Sequence, residues 1–162
     1  MIATISQFSA IWEQETAATL ACFNNLTDES LSADLLNGYR TIERTVNHIA
    51  DCAISIPHAA TLPVTYEKQH FTTVSHLVAG YREATGKVLA ALQQWTDETL
   101  QESTPMYGET WKKGFALWVT IVHQIHHRGQ LTVLMRMAGL KVPGVYGPAK
   151  EEWEAMGLPK AD

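Results

Sequence analysis

Two histidines four positions apart, near the end of the chain, are the residues with the clearest chemical potential. They belong to the segment His123-Gln-Ile-His-His127-Arg-Gly-Gln130. On a helix, residues i and i+4 lie one turn apart and point the same way. Paired imidazoles at this spacing commonly supply half of a divalent-metal site. The zinc-protease motif has a glutamate directly after the first histidine. Gln124 stands there instead, so the pair does not indicate a metalloprotease.

A third ligand for such a site would have to come from another helix, and His48 is the best candidate. The helix face around it carries mostly small or polar side chains, which could form the wall of a cavity: Thr41, Thr45, Cys52 and Ser55. Imidazoles from His48, His123 and His127 would leave coordination positions open for water or substrate. An open site of this kind is typical of catalytic metals, whereas structural zinc sites use four protein ligands.

Each of these residues also has a structural explanation. A histidine pair at this spacing occurs on solvated surfaces or as a polar contact inside a bundle, and a mid-helix His48 is often a hydrogen-bonded core residue. Cys52, one turn beyond His48, is either an inert buried thiol or a neighbour of the metal. Gln130, one turn past His127, is either a buried amide or a partner of a metal-bound water. The remaining histidines have no predicted joint role: His58, His70, His76 and His126.

Other side chains of the same helix are predicted to make structural contacts. Arg128 points sideways from the histidine face, and we expect it to contact the acidic tail around Glu151 and Glu152. A second apolar face, which indicates deep burial or a dimer contact, is formed by Trp118, Ile125 and Gly129.

The elements that must position the histidines are helices. Apolar residues recur at three- and four-residue steps over four long segments, approximately residues 3–25, 41–57, 72–95 and 115–139. Thr41 and Thr73 are suited to capping the second and third helices, and Gly139 to ending the fourth. Residues 58–71 are long enough to run the length of a helix. Residues 96–114 and the tail at 142–148 are predicted to be irregular. The pattern therefore predicts an all-α four-helix bundle, with one domain over residues 1–162.

Composition excludes several classes of protein. The 162 residues include 12 basic and 17 acidic side chains, and the formal net charge is −5. This balance argues against nucleic-acid binding, which needs a basic surface. No stretch approaches the roughly 20 apolar residues that cross a bilayer, and no signal peptide is recognisable at the N-terminus. Two cysteines cannot form a disulfide framework. We therefore expect a cytoplasmic location.

Three segments together resemble the DinB-like family of damage-inducible and related metal-binding proteins. The first is the motif His123-x-x-x-His127-Arg128-Gly129-Gln130, and the second is the tail from Met137 to Gly147. The third is Gly38-Tyr39-Arg40-Thr41-Ile42, followed by Asn47-His48-Ile49 in the second helix. With the order of the helices, the resemblance covers nearly the whole chain.

The resemblance implies an up-down-down-up four-helix bundle, a homodimer and one divalent ion per chain. By position, the ligands of that ion are His48, His123 and His127. Imidazole ligands suit zinc and nickel, so we expect Zn²⁺ or Ni²⁺. Relatives with this fold include thiol-dependent S-transferases and isomerases. The family shares its name with an unrelated DNA polymerase, and the resemblance implies no DNA chemistry.

Three functions fit these observations. The first is a metal-dependent transferase or hydrolase that acts on a small substrate, with a small thiol as a possible partner. The second is a non-catalytic dimeric module that binds a metal or small ligand for stress-related sensing or storage. The third is a metal-free structural dimer whose histidines are polar core residues.

Overall fold

The computed structural model describes residues 2–35, 37–157 and 159, and four long helices dominate it. With one short helix between the first two, the helices are α1 (Ile5–Phe23), α2 (Asp28–Leu31), α3 (Ile42–Ala59), α4 (Val74–Leu92) and α5 (Lys113–Met137). The prediction of an all-α bundle is confirmed. The predicted domain also includes residues 1, 36, 158 and 160–162, which lie outside the described residues.

Threonine side chains fix where the helices begin. The hydroxyls of Thr41 and Thr73 accept hydrogen bonds from backbone N–H groups in the first turns of α3 and α4, as predicted. Thr4 and Thr27 do the same for α1 and α2. Gly139 follows α5 with φ +71°, a left-handed conformation that glycine adopts without strain, so the helix ends where the sequence predicts.

The first and last helices run parallel. The carbonyl oxygen of Ile2, just before α1, lies 3.0 Å from the position that a Cβ on Gly114 would occupy, at the start of α5. Further along both helices, Glu15 of α1 forms an ion pair with Arg128 of α5. The close approach at Gly114 leaves no room for a side chain there.

The two middle helices run opposite to the outer pair. Along α3 and the segment before it, Arg40 contacts His127 whereas His48 contacts His123, so α3 and α5 are antiparallel. Along α1, the backbone N–H of Ile5 donates to Asp97, just beyond the end of α4. The order is therefore up-down-down-up.

Because α3 and α4 are parallel, the chain between them returns along the bundle. The side chain of Asn47 on α3 fastens this connection by two hydrogen bonds to the backbone of Phe71, at 2.9 and 2.7 Å. The Phe71 ring fills the space over Gly80 of α4. The long second connection predicted from the sequence is thus packed against the bundle.

Aromatic side chains fill much of the core between α1 and α4. Phe8 and Trp12 are fully buried and stacked, with ring centroids 5.5 Å apart. Trp12 also donates its indole N–H to the backbone oxygen of Thr85. Phe23 and Tyr81 meet edge to face. Burial of such side chains is the main source of stability in a bundle of this size. Within the described residues, no helix has the length and apolar character needed to cross a membrane.

Residues 96–114 are more ordered than the sequence predicts. They form a 3-10 turn (Thr99–Gln101) and an antiparallel hairpin of β1 (Ser103–Met106) and β2 (Glu109–Lys112). Tyr107 and Gly108 make the turn, both with positive φ, as two-residue hairpin turns require. The prediction of an irregular loop was wrong because four-residue strands are too short to show a clear alternation, and Tyr-Gly is not a typical turn pair.

Arg128 does not contact the acidic tail, which corrects the prediction. Its guanidinium is 2% exposed and forms an ion pair of 2.5 Å with Glu15. Glu151 pairs with Arg136 instead, and Glu152 accepts backbone N–H groups of the tail. Burial decides the partner, because a guanidinium inside the bundle requires a carboxylate that is buried with it.

Candidate metal centre

The structure brings His48, His123 and His127 together between α3 and α5. The Nε2 atom of His48 lies 3.0 Å from Nε2 of His123 and 3.0 Å from Nε2 of His127. One helical turn separates the two residues of α5, so both imidazoles point toward the middle of α3. His127 is buried, whereas His48 and His123 are half-buried. The cluster therefore lies near the surface of the bundle, with access from solvent.

All three imidazoles are held in the neutral form. Burial, followed by the charges of the neighbouring histidines, lowers the pKa of His123 from 6.5 to about 4. Burial also lowers the pKa of His48 and of His127, with contributions from nearby charge that include Arg40. A neutral imidazole offers a lone pair, which is the form that ligates a metal ion.

The second ring nitrogen of His127 has two close polar neighbours. Its Nδ1 lies 2.7 Å from Oε1 of Gln130 and 2.9 Å from Nη1 of Arg40. The two contacts require different tautomers, because Oε1 of Gln130 accepts a hydrogen bond from a protonated Nδ1, whereas Arg40 can only donate a hydrogen bond to an unprotonated Nδ1. If Nε2 bears the lone pair, Nδ1 carries the hydrogen and donates a hydrogen bond to Gln130.

Cys52 also belongs to the cluster. Its Sγ lies 3.7 Å from both ring nitrogens of His48, and His48, Cys52 and His123 form a group that could hold a metal ion. Burial, followed by the charge of Asp51, raises the pKa of the Cys52 thiol to about 11. The thiol is therefore protonated at neutral pH unless a cation stabilises the thiolate.

The other histidines lie apart from the three Nε2 atoms. His126 is exposed, and its Nε2 accepts a hydrogen bond of 3.1 Å from the side-chain amide nitrogen of Gln130. His58 contacts the backbone oxygen of Val64, and His70 contacts Glu43. His76 is exposed in the first turn of α4. As predicted, none of these four is part of the cluster.

Gln124 faces away from the histidines. It is 2% exposed, and its Oε1 accepts a hydrogen bond of 2.6 Å from the Tyr81 hydroxyl in the bundle core. The position that carries the catalytic glutamate of zinc proteases thus lies in the core of this protein. This placement agrees with the exclusion of a metalloprotease motif.

Two residues near the cluster were missed as site residues by sequence reasoning. Arg40 contacts His127. Its position in the Gly38–Ile42 segment, which resembles the family, is the signal that could have identified it as a site residue. Tyr66, in the connection, donates a hydrogen bond of 2.6 Å to Asp51. No spacing rule identifies Tyr66, because the connection has no periodicity from which its contacts could be inferred.

Two depressions flank the cluster. A cleft of about 790 Å³ opens beside His48 and is lined by charged side chains of α3 and the connection, among them Arg44 and Lys68. On the other side, an apolar groove of about 540 Å³ includes Tyr39 and Val133. Arg40 borders both. A molecule in either depression would lie close to the histidines.

The fold and the site together define the class of this protein. It is an up-down-down-up helical bundle that carries a histidine and cysteine cluster that could hold a metal. The chain belongs to the DinB family, whose family model matches residues 1–161.

Individual relatives agree with this assignment. The uncharacterized protein YrdA of Bacillus subtilis (strain 168) is 40% identical over 162 residues, which cover 98% of this chain and 97% of the relative. The crystal structure of a DinB-like protein from Bacillus cereus ATCC 10987 matches with a TM-score of 0.85 and 38% identity, over 90% of this chain and all of that one. The DinB-like protein YjoA from Bacillus subtilis shares the fold at a TM-score of 0.66 and 20% identity, over 82% of this chain and 92% of the other.

Proposed function

We propose that this protein holds one divalent transition-metal ion per chain, Zn²⁺ or Ni²⁺, on Nε2 of His48, His123 and His127. We propose further that the ion serves a thiol S-transfer or hydrolytic reaction on a small substrate. The single observation that carries the proposal is that Nε2 of His48 on α3 lies 3.0 Å from Nε2 of both His123 and His127 on the facing helix α5.

The spacing of the nitrogens fits a metal ion. With metal–nitrogen bonds of about 2.0–2.1 Å, two ligand nitrogens lie about 2.9 Å apart at a right angle and about 3.4 Å apart at a tetrahedral angle. The contacts of His48 with His123 and His127 fall between these values. Hydrogen bonding explains the contacts less well, because a neutral Nε2 of His48 has either one proton or one lone pair to serve two nitrogens.

The surroundings of His127 support its role as a ligand. A metal-binding histidine normally donates its other ring N–H to an acceptor, which fixes the tautomer and the ring orientation. Oε1 of Gln130 stands 2.7 Å from Nδ1 of His127 and provides that acceptor. The Gln130 amide is in turn placed by its contact with His126. Gln130 therefore positions the ligand without touching the ion.

Three imidazoles without a fourth protein ligand would leave coordination positions for a substrate. When bound, a divalent ion would supply Lewis acidity and deliver a coordinated thiol as thiolate. Within the described chain, no carboxylate hydrogen-bonds to His48, His123 or His127, and the two carboxylates of the cleft beside His48, Glu43 and Asp51, are engaged by His70 and Tyr66. This arrangement favours thiol transfer, in which coordination itself generates the nucleophile, over hydrolysis that depends on a side-chain base.

Elemental analysis of untagged protein tests the metal site. We expect one zinc or nickel ion per chain, and loss of the ion in His48→Ala, His123→Ala and His127→Ala. His76→Ala is the matched control, because His76 is exposed on α4 and lies outside the cluster. Unchanged metal content in any of the three variants would contradict the ligand assignment.

Turnover is tested separately, with metal-loaded protein, a small thiol and a broad panel of electrophiles. We expect thiol-dependent consumption of an electrophile that a chelator abolishes and that added Zn²⁺ or Ni²⁺ restores. A protein that holds its ion but shows no turnover across the panel would contradict the enzymatic part of the proposal. That result would favour a binding module for sensing or storage.

A further inference from the structure

The cleft beside His48 contains three cationic side chains without a carboxylate partner. Arg40, Arg44 and Lys68 line it, and none of them takes part in the ion pairs formed by the described residues. Here the carboxylates that share the cleft have other partners.

Those carboxylates are Glu43 and Asp51. Oε1 of Glu43 lies 2.9 Å from Nε2 of His70, and Oδ1 of Asp51 accepts the hydroxyl of Tyr66 at 2.6 Å. Three cations against two carboxylates leave one positive charge in excess, and the hydrogen bonds hold both carboxylates toward the connection. The cleft is therefore locally positive in an acidic protein, which attracts small anions.

Arg40 contacts the histidines directly, and whether His127 can accept its hydrogen bond depends on the tautomer of that ring. Its Nη1 lies 2.9 Å from Nδ1 of His127 and 3.5 Å from Oε1 of Gln130. If Nε2 of His127 holds a metal ion, Nδ1 carries a proton and cannot accept from Arg40. The guanidinium is then left facing the cleft with a single long hydrogen bond. This step rests on the proposed function.

We propose that the cleft binds a small organic molecule bearing at least two oxyanion groups, as a substrate of the metal centre. One oxyanion would bind Arg40, next to the open coordination positions, and the other would bind Arg44 and Lys68. Guanidinium groups bind carboxylate and phosphate by paired, charge-assisted hydrogen bonds. The volume of about 790 Å³ lies within the range of small-molecule sites, roughly 300–1,000 Å³.

Calorimetric titration of zinc-loaded protein with succinate, succinamide and methyl phosphate tests this proposal. Succinate is the dicarboxylate probe, succinamide is its neutral counterpart, and methyl phosphate carries a single oxyanion group. We expect succinate to bind with one molecule per chain and succinamide not to bind. Arg44→Gln and Lys68→Gln should each weaken succinate binding by roughly tenfold, the loss of one charge-assisted contact. Methyl phosphate should bind more weakly than succinate, and tighter binding would contradict the requirement for two oxyanion groups.

The control variant is Lys87→Gln, which removes an exposed cation that is paired with Glu83 on α4. It should leave succinate binding unchanged. The proposal is overturned if neither anion binds, if succinamide binds as well as succinate, or if Arg44→Gln and Lys68→Gln bind succinate as the unmodified chain does.

Metal content is measured on the same samples, so that the two proposals fail separately. Succinate binding that depends on Arg44 and Lys68 in a protein without metal would support the anion site and contradict the metal site. A protein that holds one ion per chain and binds neither anion would support the metal site and contradict the anion site.

Discussion

The side-chain oxygen of Gln130 lies 2.7 Å from Nδ1 of His127, on the side of the ring opposite to the Nε2 that faces His48. Through this contact, a residue about one helical turn further along α5 orients an imidazole that lies between two helices. The amide does not need to touch a metal ion to influence its binding, because it decides which ring nitrogen carries the proton.

Replacing Gln130 should therefore weaken metal binding. We expect Gln130→Leu, which lacks an acceptor, to raise the dissociation constant for Zn²⁺ about 10–100-fold, as is typical when a metal-bound histidine loses its partner. Gln130→Glu keeps an acceptor oxygen and should retain most of the affinity. Competition with a chromogenic chelator measures both constants. Equal affinities of Gln130→Leu and the unmodified chain would show that the contact has no orienting role.

Cys52 should be dispensable for metal binding. Three imidazoles already stand at ligand spacing, and the pKa of the Cys52 thiol is raised to about 11, which disfavours the thiolate. We expect Cys52→Ala to retain one ion per chain by elemental analysis. In the cobalt-substituted protein, the spectrum should lack a thiolate-to-cobalt charge-transfer band with or without the substitution. Such a band in the unmodified chain alone would instead identify Cys52 as the fourth ligand.

Breaking the buried ion pair between Glu15 and Arg128 on one side should destabilise the protein strongly. Arg128→Met leaves a buried carboxylate without its cation, and the expected loss in the free energy of unfolding is about 3–5 kcal/mol. The exposed pair of Arg136 and Glu151 is the comparison, and Arg136→Met should cost less than about 1 kcal/mol.

Urea denaturation of metal-free protein measures both effects on the bundle. The double variant Glu15→Met with Arg128→Met removes both buried charges and should recover most of the loss. If the double variant is as unstable as Arg128→Met, the cost comes from packing and not from the unpaired carboxylate.

Metal-free protein should lose stability as the pH falls from about 6.5 to about 4. The pKa of His123 is lowered from 6.5 to about 4 by burial and by its neighbours, so the unfolded chain takes up a proton in this range and the folded chain does not. Stability from such a group is complete above 6.5 and is lost as the pH approaches the folded-state value. His48 and His127 act in the same direction.

Urea denaturation at several pH values, in the presence of a chelator, checks this expectation. His123→Gln should flatten the pH dependence between 6.5 and 4, and the exposed His76→Gln should leave it unchanged. An equal slope in His123→Gln and the unmodified chain would mean that His123 titrates at its ordinary pKa in the folded protein.

The four long helices could be predicted from the sequence alone, and so could the choice of His48, His123 and His127 as candidate ligands. Apolar spacing at three and four residues places four helices, and threonine and glycine mark their ends, because these signals act within one turn of the chain. His123 and His127 share a face for the same local reason. The small and polar face around His48 made it the best candidate for a third ligand, but its distance from the pair depends on how two helices pack. The resemblance to a known family implied the same three residues.

Contacts between distant segments could not be predicted from local patterns. The pairing of Arg128 with Glu15 depends on tertiary structure. A buried guanidinium needs a buried carboxylate, and that carboxylate can come from a distant part of the sequence. Tertiary structure also decided that Arg40 stands beside His127 and that Arg44 and Lys68 share a cleft without carboxylate partners. The sequence by itself determined which residues share a helix face, since helical geometry repeats over a few residues. Which faces meet, and which charges are left unpaired where they meet, follows only from the packing of the whole chain.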